Sequence, residues 1–360
     1  MNSLLRSALI SRSLRGTHNS YISPSCVHPS RYITTSPARK NNDTLVGVQA
    51  ALRARSDPTF TPRPTLLQKE FDLTGRVAVV SGGNRGLGLE ISEALCEAGA
   101  IVHCLDLPET PGDTWHATQK YVKRLNLPSA RLEYANVDVT NQGLVWDTIE
   151  KIAENEGGRL DVCIAAAGII TGSACLDCPA EEFSKVMNVN TNGVFYLAQA
   201  AGRQMVKYGR PGSIILIASA SGTVANIGEQ VVAYNASKSA VLQIARSMAC
   251  ELGQKGIRVN TISPGYIRTD MTSVFLDARA QLQDTWASQN PLGRLGRPDE
   301  LRGVVTWLAS DASTFCTGSE FVAARGDLLG ITRANDPNSK HISQDEFDHF
   351  FFVTASARIR

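Results

Sequence analysis

The chain has 360 residues, of which 43% are hydrophobic and 19% are charged, and its formal net charge at pH 7 is +2. This apolar content is enough for a sizeable core, and the small, dispersed charge argues against a nucleic-acid surface. No apolar run reaches the ~18 residues that a membrane span needs, so we expect no nucleic acid and no membrane as partner.

The first 42 residues contain no Asp or Glu but many serines and six basic residues, namely Arg6, Arg12, Arg15, Arg31, Arg39 and Lys40. Such a composition is typical of a mitochondrial presequence. We therefore expect a presequence over residues 1–42 and a location in the mitochondrial matrix. A disordered tail on a cytoplasmic protein is the alternative. Residues 43–70, which contain three prolines, are interpreted as a linker or a strap on the core.

A buried strand followed by a glycine turn is the first chemical signal along the chain. Residues 76–81 (RVAVVS) form an uninterrupted apolar, β-branched run, as strands in parallel sheets do. Gly82, Gly86 and Gly88 follow, and an apolar-periodic helix is predicted over residues 89–98. The pattern predicts a turn whose backbone approaches a pyrophosphate at the helix N-terminus.

The strand predicted over residues 101–106 bears on the choice of cofactor. It ends in Asp106, about 20 residues past the glycines, where a carboxylate accepts hydrogen bonds from ribose hydroxyls. The same charge repels a 2′-phosphate, and Leu107 offers that phosphate no donor, so the two positions favour NAD. Arg85 favours NADP, because a guanidinium pairs with phosphate, unless it is only a solvated loop charge. We expect NAD, with NADP as the alternative.

The string YNASK places the phenol of Tyr234 and the ammonium of Lys238 four residues apart, side by side on a predicted helix. A free phenol has a pKa of ~10, and a neighbouring cation lowers that pKa towards the range that a general base needs. The pair therefore predicts proton transfer. This spacing is common by chance, so the interpretation depends on the nucleotide-binding turn upstream.

Several motifs, in this order and spacing, resemble those of the short-chain dehydrogenase/reductases over about residues 71–322. They are SGGNRGLG, with Ser81 in place of threonine, then NVDV, AAAG, VNTNG, YNASK and SPGYIRT. The resemblance implies an α/β domain over residues 71–322, built on a single doubly wound Rossmann-type parallel sheet with helices on both faces.

The resemblance also implies a cofactor site whose members are spread over the whole domain. They are Ser81, Gly82, Asn84, Arg85, Gly86, Leu87, Gly88, Asp106, Asp138, Val139, Ala166, Gly168, Tyr234, Lys238, Pro264, Gly265, Ile267 and Thr269. By this resemblance Asp138 binds adenine, Thr269 hydrogen-bonds the carboxamide and Ile267 backs the ring. Ala165 departs from the family, whose asparagine at this position ties neighbouring strands together, so we expect reduced local rigidity there.

The catalytic residues that the resemblance implies are Ser219, Tyr234, Lys238 and Asn190. Ser219 stabilises the charge on the substrate oxygen, Tyr234 exchanges the proton, and Lys238 lowers the tyrosine pKa and holds the nicotinamide ribose. Asn190 anchors a proton relay or, alternatively, stabilises a helix kink. Ser221 is the alternative to Ser219 as the catalytic serine. The family's serine lies three residues before a glycine, which favours Ser219 because Gly222 follows it at that spacing. The number of residues between the serine and Tyr234 favours Ser221.

The segment SASGTVANIGEQVVAYNASK is similar to that of fungal arabinitol 2-dehydrogenases, sorbose reductases and mannitol dehydrogenases. Asn226, Glu229 and Gln230 are candidates to bind sugar hydroxyls, and residues 271–290 are expected to supply another wall of the substrate site. We expect a dehydrogenase that interconverts a secondary alcohol and a ketone, with a small-molecule polyol such as D-arabinitol and its ketose as the substrate pair. A mitochondrial 3-oxoacyl reductase using NADPH and a non-catalytic dinucleotide-binding protein are the alternatives.

Three further expectations concern the chain end, the cysteines and assembly. Residues 323–360 are interpreted as an atypical tail, because TGSEFVAARGD lacks the glycine pair of the family. The CxxC of Cys175 and Cys178 has no second pair and no nearby histidine, so neither a metal site nor a disulfide is predicted. The resemblance implies a homo-oligomer, a tetramer or a dimer, packed through the helices that contain Asn190 and Tyr234.

Overall fold

The computed structural model describes residues 45–225, 228–269, 271–273, 276 and 280–324. Within these residues the strands are β1 (Val77–Ser81), β2 (Ile101–Asp106), β3 (Arg131–Asn136), β4 (Val162–Ala165), β5 (Gly212–Ile217), β6 (Ile257–Pro264) and β7 (Glu320–Ala323). They form one sheet in the order β3-β2-β1-β4-β5-β6-β7. All six neighbouring pairs of these described strands are parallel.

The helices of the described part lie before, between and after these strands. They are α1 (Gly47–Ser56), α2 (Gly86–Glu97), α3 (Asp113–Arg124), α4 (Gln142–Asn155), α5 (Ala180–Met187), α6 (Val194–Lys207), α7 (Val232–Leu252), α8 (Ala280–Ser288) and α9 (Arg302–Ala309). Apolar side chains of α2, α3 and α9 are buried in one core cluster, and those of α4, α6 and α7 in a second. Both clusters include residues of β1, as expected for a sheet with helices on both faces. The doubly wound α/β fold is therefore confirmed.

The direction of winding reverses between β1 and β4, which are neighbours in the sheet although β2 and β3 separate them in the chain. At such a switch point the loops leave in opposite directions, so a crevice opens at the carboxyl ends of the strands. The glycine turn follows β1 and the AAAG segment follows β4, with Ser81 in register with Ala165. The topology thus brings two of the predicted cofactor segments to the same crevice.

The hydroxyl of Ser81 links the two strands at this point. Its oxygen accepts hydrogen bonds from the backbone N–H groups of Ala166 and Ala167, each at 3.2 Å, and Ser81 is only 2% exposed. Ala165 has no polar side chain with which to make such a link. The tie between β1 and the end of β4 therefore comes from the serine hydroxyl.

The two flanks of the domain contain a helix and a paired strand. Residues 43–70, interpreted as a linker, include the ten-residue helix α1, none of whose residues is buried. At the other flank β7 pairs with β6, and the N–H of Gly265 donates to the carbonyl of Ala323 at 2.8 Å. Ala324 takes φ +58°, which costs an L-residue roughly 1 kcal/mol more than it costs glycine.

Some predictions fall on residues that the structure does not describe. These are the presequence over residues 1–42, the tail beyond Ala324 and the hydroxyl-binding candidate Asn226. Among the helices of the described residues, none is both long and apolar enough to cross a bilayer. In the same residues no group of three or more His, Cys, Asp or Glu side chains is placed to hold a metal ion.

Candidate active site

The glycine turn between β1 and α2 has no room for side chains at its central positions. Gly82 takes φ +68°, and a Cβ on Gly88 would lie 2.1 Å from the carbonyl oxygen of Gly82. A Cβ on Gly83 would lie 2.7 Å from the Cβ of Cys104 on β2. The turn therefore requires glycine, and its backbone and the first N–H groups of α2 are open to an anionic group.

Asp106 lies at the end of β2 beside this turn. Its carboxylate accepts hydrogen bonds from the backbone N–H groups of Asn84 at 3.0 Å and of Leu107 at 2.8 Å. The side-chain oxygen of Asn84 accepts a third from the N–H of Gly112 at 2.8 Å. These bonds fix the carboxylate at the rim of the crevice, while the side chain of Arg85 is exposed.

Asp138 and Val139 lie after β3. The Asp138 carboxylate accepts hydrogen bonds from the N–H and the hydroxyl of Thr140, at 2.9 and 2.7 Å. Val139 is buried and packs against Gly193. A Cβ added to Gly193 would lie only 2.8 Å from a methyl carbon of Val139. Asp138 therefore shapes the turn before α4, and Val139 connects that turn to the segment containing Asn190.

The SPGYIRT segment leaves the carboxyl end of β6. Pro264 is the last residue of that strand, and Ile267 is buried. The Thr269 hydroxyl lies 3.3 Å from that of Thr272, which donates to the carbonyl of Ile267 at 2.7 Å. These hydrogen bonds within the segment hold it in a compact loop beside the crevice. The predicted nicotinamide contacts, Ile267 and Thr269, therefore lie on one short loop.

Tyr234 and Lys238 lie near the start of α7, one turn apart. The Lys238 ammonium is 5.7 Å from the centre of the Tyr234 ring and donates to the carbonyl of Ile217 at 2.8 Å. Ser219 lies two residues after the end of β5, and its hydroxyl is close enough to the phenol of Tyr234 to lower the pKa of that phenol. The end of β5 and the start of α7 therefore bring the three predicted catalytic side chains together.

Burial shifts the pKa values of both Tyr234 and Lys238. Burial raises the pKa of Tyr234; the hydrogen bond from Ser219 lowers it, and the negative charge of Glu229 raises it further. Burial also lowers the pKa of Lys238 to about 8. Desolvation therefore outweighs the hydrogen bond from Ser219 in this structure, and the lowering of the tyrosine pKa by the Lys238 cation stays a prediction.

Asn190 lies in a π-helical turn, Asn188–Gly193, that joins α5 to α6. Its side-chain amide exchanges two hydrogen bonds with the backbone of Ile169, both at 2.8 Å, and donates a third to the hydroxyl of Ser237 at 3.0 Å. Asn190 therefore connects the loop after β4 to α7, from within a local deformation of the helix. The proton relay through Asn190 stays a prediction.

Sequence reasoning missed the part played by Ser237. Its hydroxyl accepts from Asn190 and donates to the carbonyl of Tyr234 at 2.7 Å, and the residue is fully buried. The available signal was a small hydroxyl residue immediately before Lys238, on a buried helix position. That signal is weak, because serine is common in helices that pack closely.

The structure separates the two candidate serines. Ser219 contacts the Tyr234 phenol, and its hydroxyl oxygen also accepts the N–H of Ser221 at 3.2 Å. Ser221 lines a cavity with Asn235 and Ser239, on a face of α7 other than the one that carries Tyr234. The geometry therefore supports Ser219.

Ser219→Ala is expected to reduce kcat/KM about a hundredfold, because it removes the donor nearest the reacting oxygen and the hydrogen bond that opposes the raised tyrosine pKa. Ser221→Ala is the matched control and should change kcat/KM by no more than about twofold. Steady-state rates of both variants with one cofactor check this. A larger loss for Ser221→Ala would reverse the assignment.

Comparison with known proteins places the chain among oxidoreductases. The family model described as enoyl-(acyl carrier protein) reductase matches residues 82–326. Sorbose reductase sou1 of Schizosaccharomyces pombe is 38% identical over 71% of this chain and 97% of its own length. D-arabinitol 2-dehydrogenase (ribulose-forming) of Candida tropicalis is 33% identical over 71% of this chain and 93% of its own length. The family match over residues 82–326 includes the motifs from the glycine turn to SPGYIRT.

Two further comparisons extend these findings. A protein of Yarrowia lipolytica named "Probable NADP-dependent mannitol dehydrogenase" is 36% identical over 75% of this chain and 94% of its own length. The crystal structure of a short-chain type dehydrogenase/reductase from Mycobacterium marinum superposes with a TM-score of 0.66 and 38% identity, covering 71% of this chain and 96% of the other. With its parallel sheet, glycine turn and YNASK pair, the chain belongs to the short-chain dehydrogenase/reductase family.

Proposed function

We propose that this chain is an NAD-dependent polyol dehydrogenase that interconverts a secondary alcohol of a sugar alcohol, D-arabinitol in the first instance, with the corresponding ketose. The observation that carries the proposal is the contact of Ser219 with the Tyr234 phenol beside the buried Lys238 ammonium. The polyol and ketose activities in the names of the similar fungal proteins support this class of substrate.

The described residues fit a nicotinamide dinucleotide. The turn of Gly82 and Gly88 leaves backbone uncovered for the pyrophosphate, and Asp106 is held where ribose hydroxyls need an acceptor. A Cβ on Gly168 would lie 3.4 Å from the Asn190 side-chain oxygen and 3.6 Å from the Lys238 nitrogen. Glycine there keeps the space beside Lys238 open for the ribose. When bound, the cofactor supplies hydride transfer.

The side chains of this site perform the proton chemistry. In alcohol oxidation the Ser219 hydroxyl binds the substrate oxygen, and Tyr234 takes the hydroxyl proton once it is itself deprotonated. Lys238 favours the phenolate through its charge and is oriented by the carbonyl of Ile217. In ketone reduction Tyr234 returns the proton to the oxygen. The roles of Ser219 and Lys238 are then unchanged.

The preference for NAD rests on Asp106. Its carboxylate is fixed by two backbone donors at the end of β2 and would lie against a 2′-phosphate, and the next side chain, Leu107, is 66% exposed and apolar. Like charges at short range are unfavourable, so this pair of residues disfavours NADP. The exposed Arg85 and the NADP named for the Yarrowia relative argue in the other direction.

A panel of substrates with both cofactors tests the proposal. We expect D-arabinitol or another pentitol to be oxidised with NAD at a kcat/KM at least about tenfold above that with NADP, which corresponds to about 1.4 kcal/mol of discrimination. Hexitols and 3-oxoacyl thioesters complete the panel. A stronger preference for NADP would show that Asp106 does not set the choice of cofactor, and failure to oxidise any polyol would refute the substrate class.

Reduction of a 3-oxoacyl thioester with NADPH is the second candidate. The description of the matching family model as an enoyl-(acyl carrier protein) reductase favours an acyl substrate. Arg85 in the glycine turn favours the phosphorylated cofactor. The same panel separates the two candidates, because only the second predicts turnover of the thioester.

A further inference from the structure

Glu229, whose charge acts on Tyr234, joins three separate segments of the chain. It lies in the loop between β5 and α7, and one oxygen of its carboxylate accepts hydrogen bonds from the Tyr266 hydroxyl and the Trp286 indole N–H, both at 2.8 Å. Tyr266 belongs to the SPGYIRT segment after β6, and Trp286 to α8. The carboxylate is thus bonded to two elements that lie 37 and 57 residues further along the chain.

The two donors also contact each other. The rings of Tyr266 and Trp286 are stacked, with centroids 4.4 Å apart and planes 10° from parallel, and Trp286 is 7% exposed. A buried indole N–H needs an acceptor, and a partly buried carboxylate needs donors, so each group supplies what the other requires. The arrangement is therefore a built contact between elements rather than a chance meeting of surface side chains.

We propose that Glu229 is a positioning residue that holds the SPGYIRT segment and α8 against the loop carrying Ser219, and so fixes the walls of the substrate site around Tyr234. The inference rests on the proposed function for its substrate and deepens it, because it names the residue that determines how the substrate is held. Glu229 acts here through Tyr266 and Trp286, with no step of the chemistry assigned to it.

The charge of Glu229 gives a second, independent signature. Its negative charge raises the pKa of Tyr234, so neutralising it lowers that pKa and moves the rise of kcat/KM with pH in alcohol oxidation to lower pH. Two charged groups act on Tyr234 in the described residues: Lys238 on the same helix, 5.7 Å from the ring centre, and Glu229 on the preceding loop. Lys238 donates to the carbonyl of Ile217, whereas Glu229 is bonded to both the SPGYIRT segment and α8.

Two substitutions at Glu229 separate its hydrogen bonds from its charge. Glu229→Ala removes the acceptor of both hydrogen bonds, and we expect KM for the polyol to rise at least about tenfold. A change of this size corresponds to the free energy of one hydrogen bond to a charged group. Glu229→Gln keeps an oxygen that accepts both donors, so KM should stay within about twofold of wild type while the pH profile shifts to lower pH. Glu251→Gln, an exposed carboxylate at the end of α7, is the control for charge alone.

Hydrogen exchange of the full-length chain without substrate tests the same contact independently of turnover. The amides of residues 280–288 should exchange faster in Glu229→Ala, and also in Trp286→Phe, which keeps a ring but loses the N–H donor. In the double variant the increase in exchange rate should be less than the sum of the two single effects, because both substitutions break the same hydrogen bond between Trp286 and Glu229.

The outcomes distinguish the two proposals. If no polyol is oxidised by the wild type, the proposed function fails, but faster exchange of residues 280–288 in Glu229→Ala still supports the positioning role. If Glu229→Ala leaves both that exchange and KM unchanged, Glu229 does not position the walls. An unshifted pH profile in Glu229→Gln also contradicts the proximity of its charge to Tyr234.

Discussion

Tyr234→Phe should reduce kcat/KM for polyol oxidation about a thousandfold, within the range that general acid–base catalysis contributes. The substitution removes only the hydroxyl that Ser219 contacts and leaves the ring beside the Lys238 ammonium. The remaining rate should also lose its increase with pH, since the phenol whose deprotonation produces that increase is absent. Initial rates at saturating cofactor, measured across the pH range, check both effects.

Tyr208→Phe is the matched control for this experiment. Tyr208 lies at the end of α6, where the Lys207 ammonium is 5.4 Å from its ring centre, and it takes no part in the site. Loss of the Tyr208 hydroxyl should leave kcat/KM for polyol oxidation within about twofold of wild type. If Tyr234→Phe retained wild-type turnover, Tyr234 would not be the base. If the wild type had no turnover on any substrate, the non-catalytic alternative would gain support.

A methionine at Lys238 should inactivate the enzyme and stabilise the protein. Lys238 is 4% exposed, and burial holds the pKa of its ammonium at about 8, whereas the value in the unfolded chain is 10.5. At 1.36 kcal/mol per unit of pKa, the buried charge destabilises the folded protein by up to about 3 kcal/mol, and the methionine removes this cost. The methionine also loses the hydrogen bond to Ile217, which destabilises the variant by about 1 kcal/mol. We expect Lys238→Met to raise the free energy of unfolding by about 2 kcal/mol at pH 7.

The pH dependence of this gain has a definite sign. Between pH 8 and pH 10.5 the unfolded wild type binds more protons at Lys238 than the folded protein, so wild-type stability rises with pH in that window. The advantage of Lys238→Met is therefore complete below pH 8 and disappears as the pH approaches 10.5. Denaturant unfolding at pH 7 and pH 10 measures it, with the exposed Lys255→Met as control. An equal difference at both pH values would contradict the depressed pKa of Lys238.

Much of the fold could be predicted because its determinants are local. The buried run of residues 76–81 contains β1, Val77–Ser81, and the strand predicted over residues 101–106 has the bounds of β2. The helix predicted over residues 89–98 begins three residues earlier, at Gly86, because the glycine turn itself supplies the first turn of α2. Apolar periodicity reports burial and cannot reveal a helical start made of glycines.

The two candidate serines show where local information ends. Ser219 and Ser221 lie two residues apart in the same apolar segment, and the sequence contained an argument for each. The choice depends on how the chain leaves β5: Ala220–Gly222 form a short 3₁₀ turn that directs Ser219 towards Tyr234 and Ser221 into a cavity on another face of α7. That direction is set by packing against α7, where a Cβ on Gly222 would lie 2.8 Å from the backbone of Lys238.

The sequence alone determined the nucleotide turn, the parallel α/β architecture and the pairing of Tyr234 with Lys238, because each depends on residues that are close in the chain and on periodicities that burial imposes. Only the tertiary structure decided which serine meets the phenol, that burial raises the pKa of Tyr234, and that Glu229 bonds Tyr266 and Trp286. These properties depend on desolvation and on contacts between segments up to 57 residues apart, which no local pattern specifies.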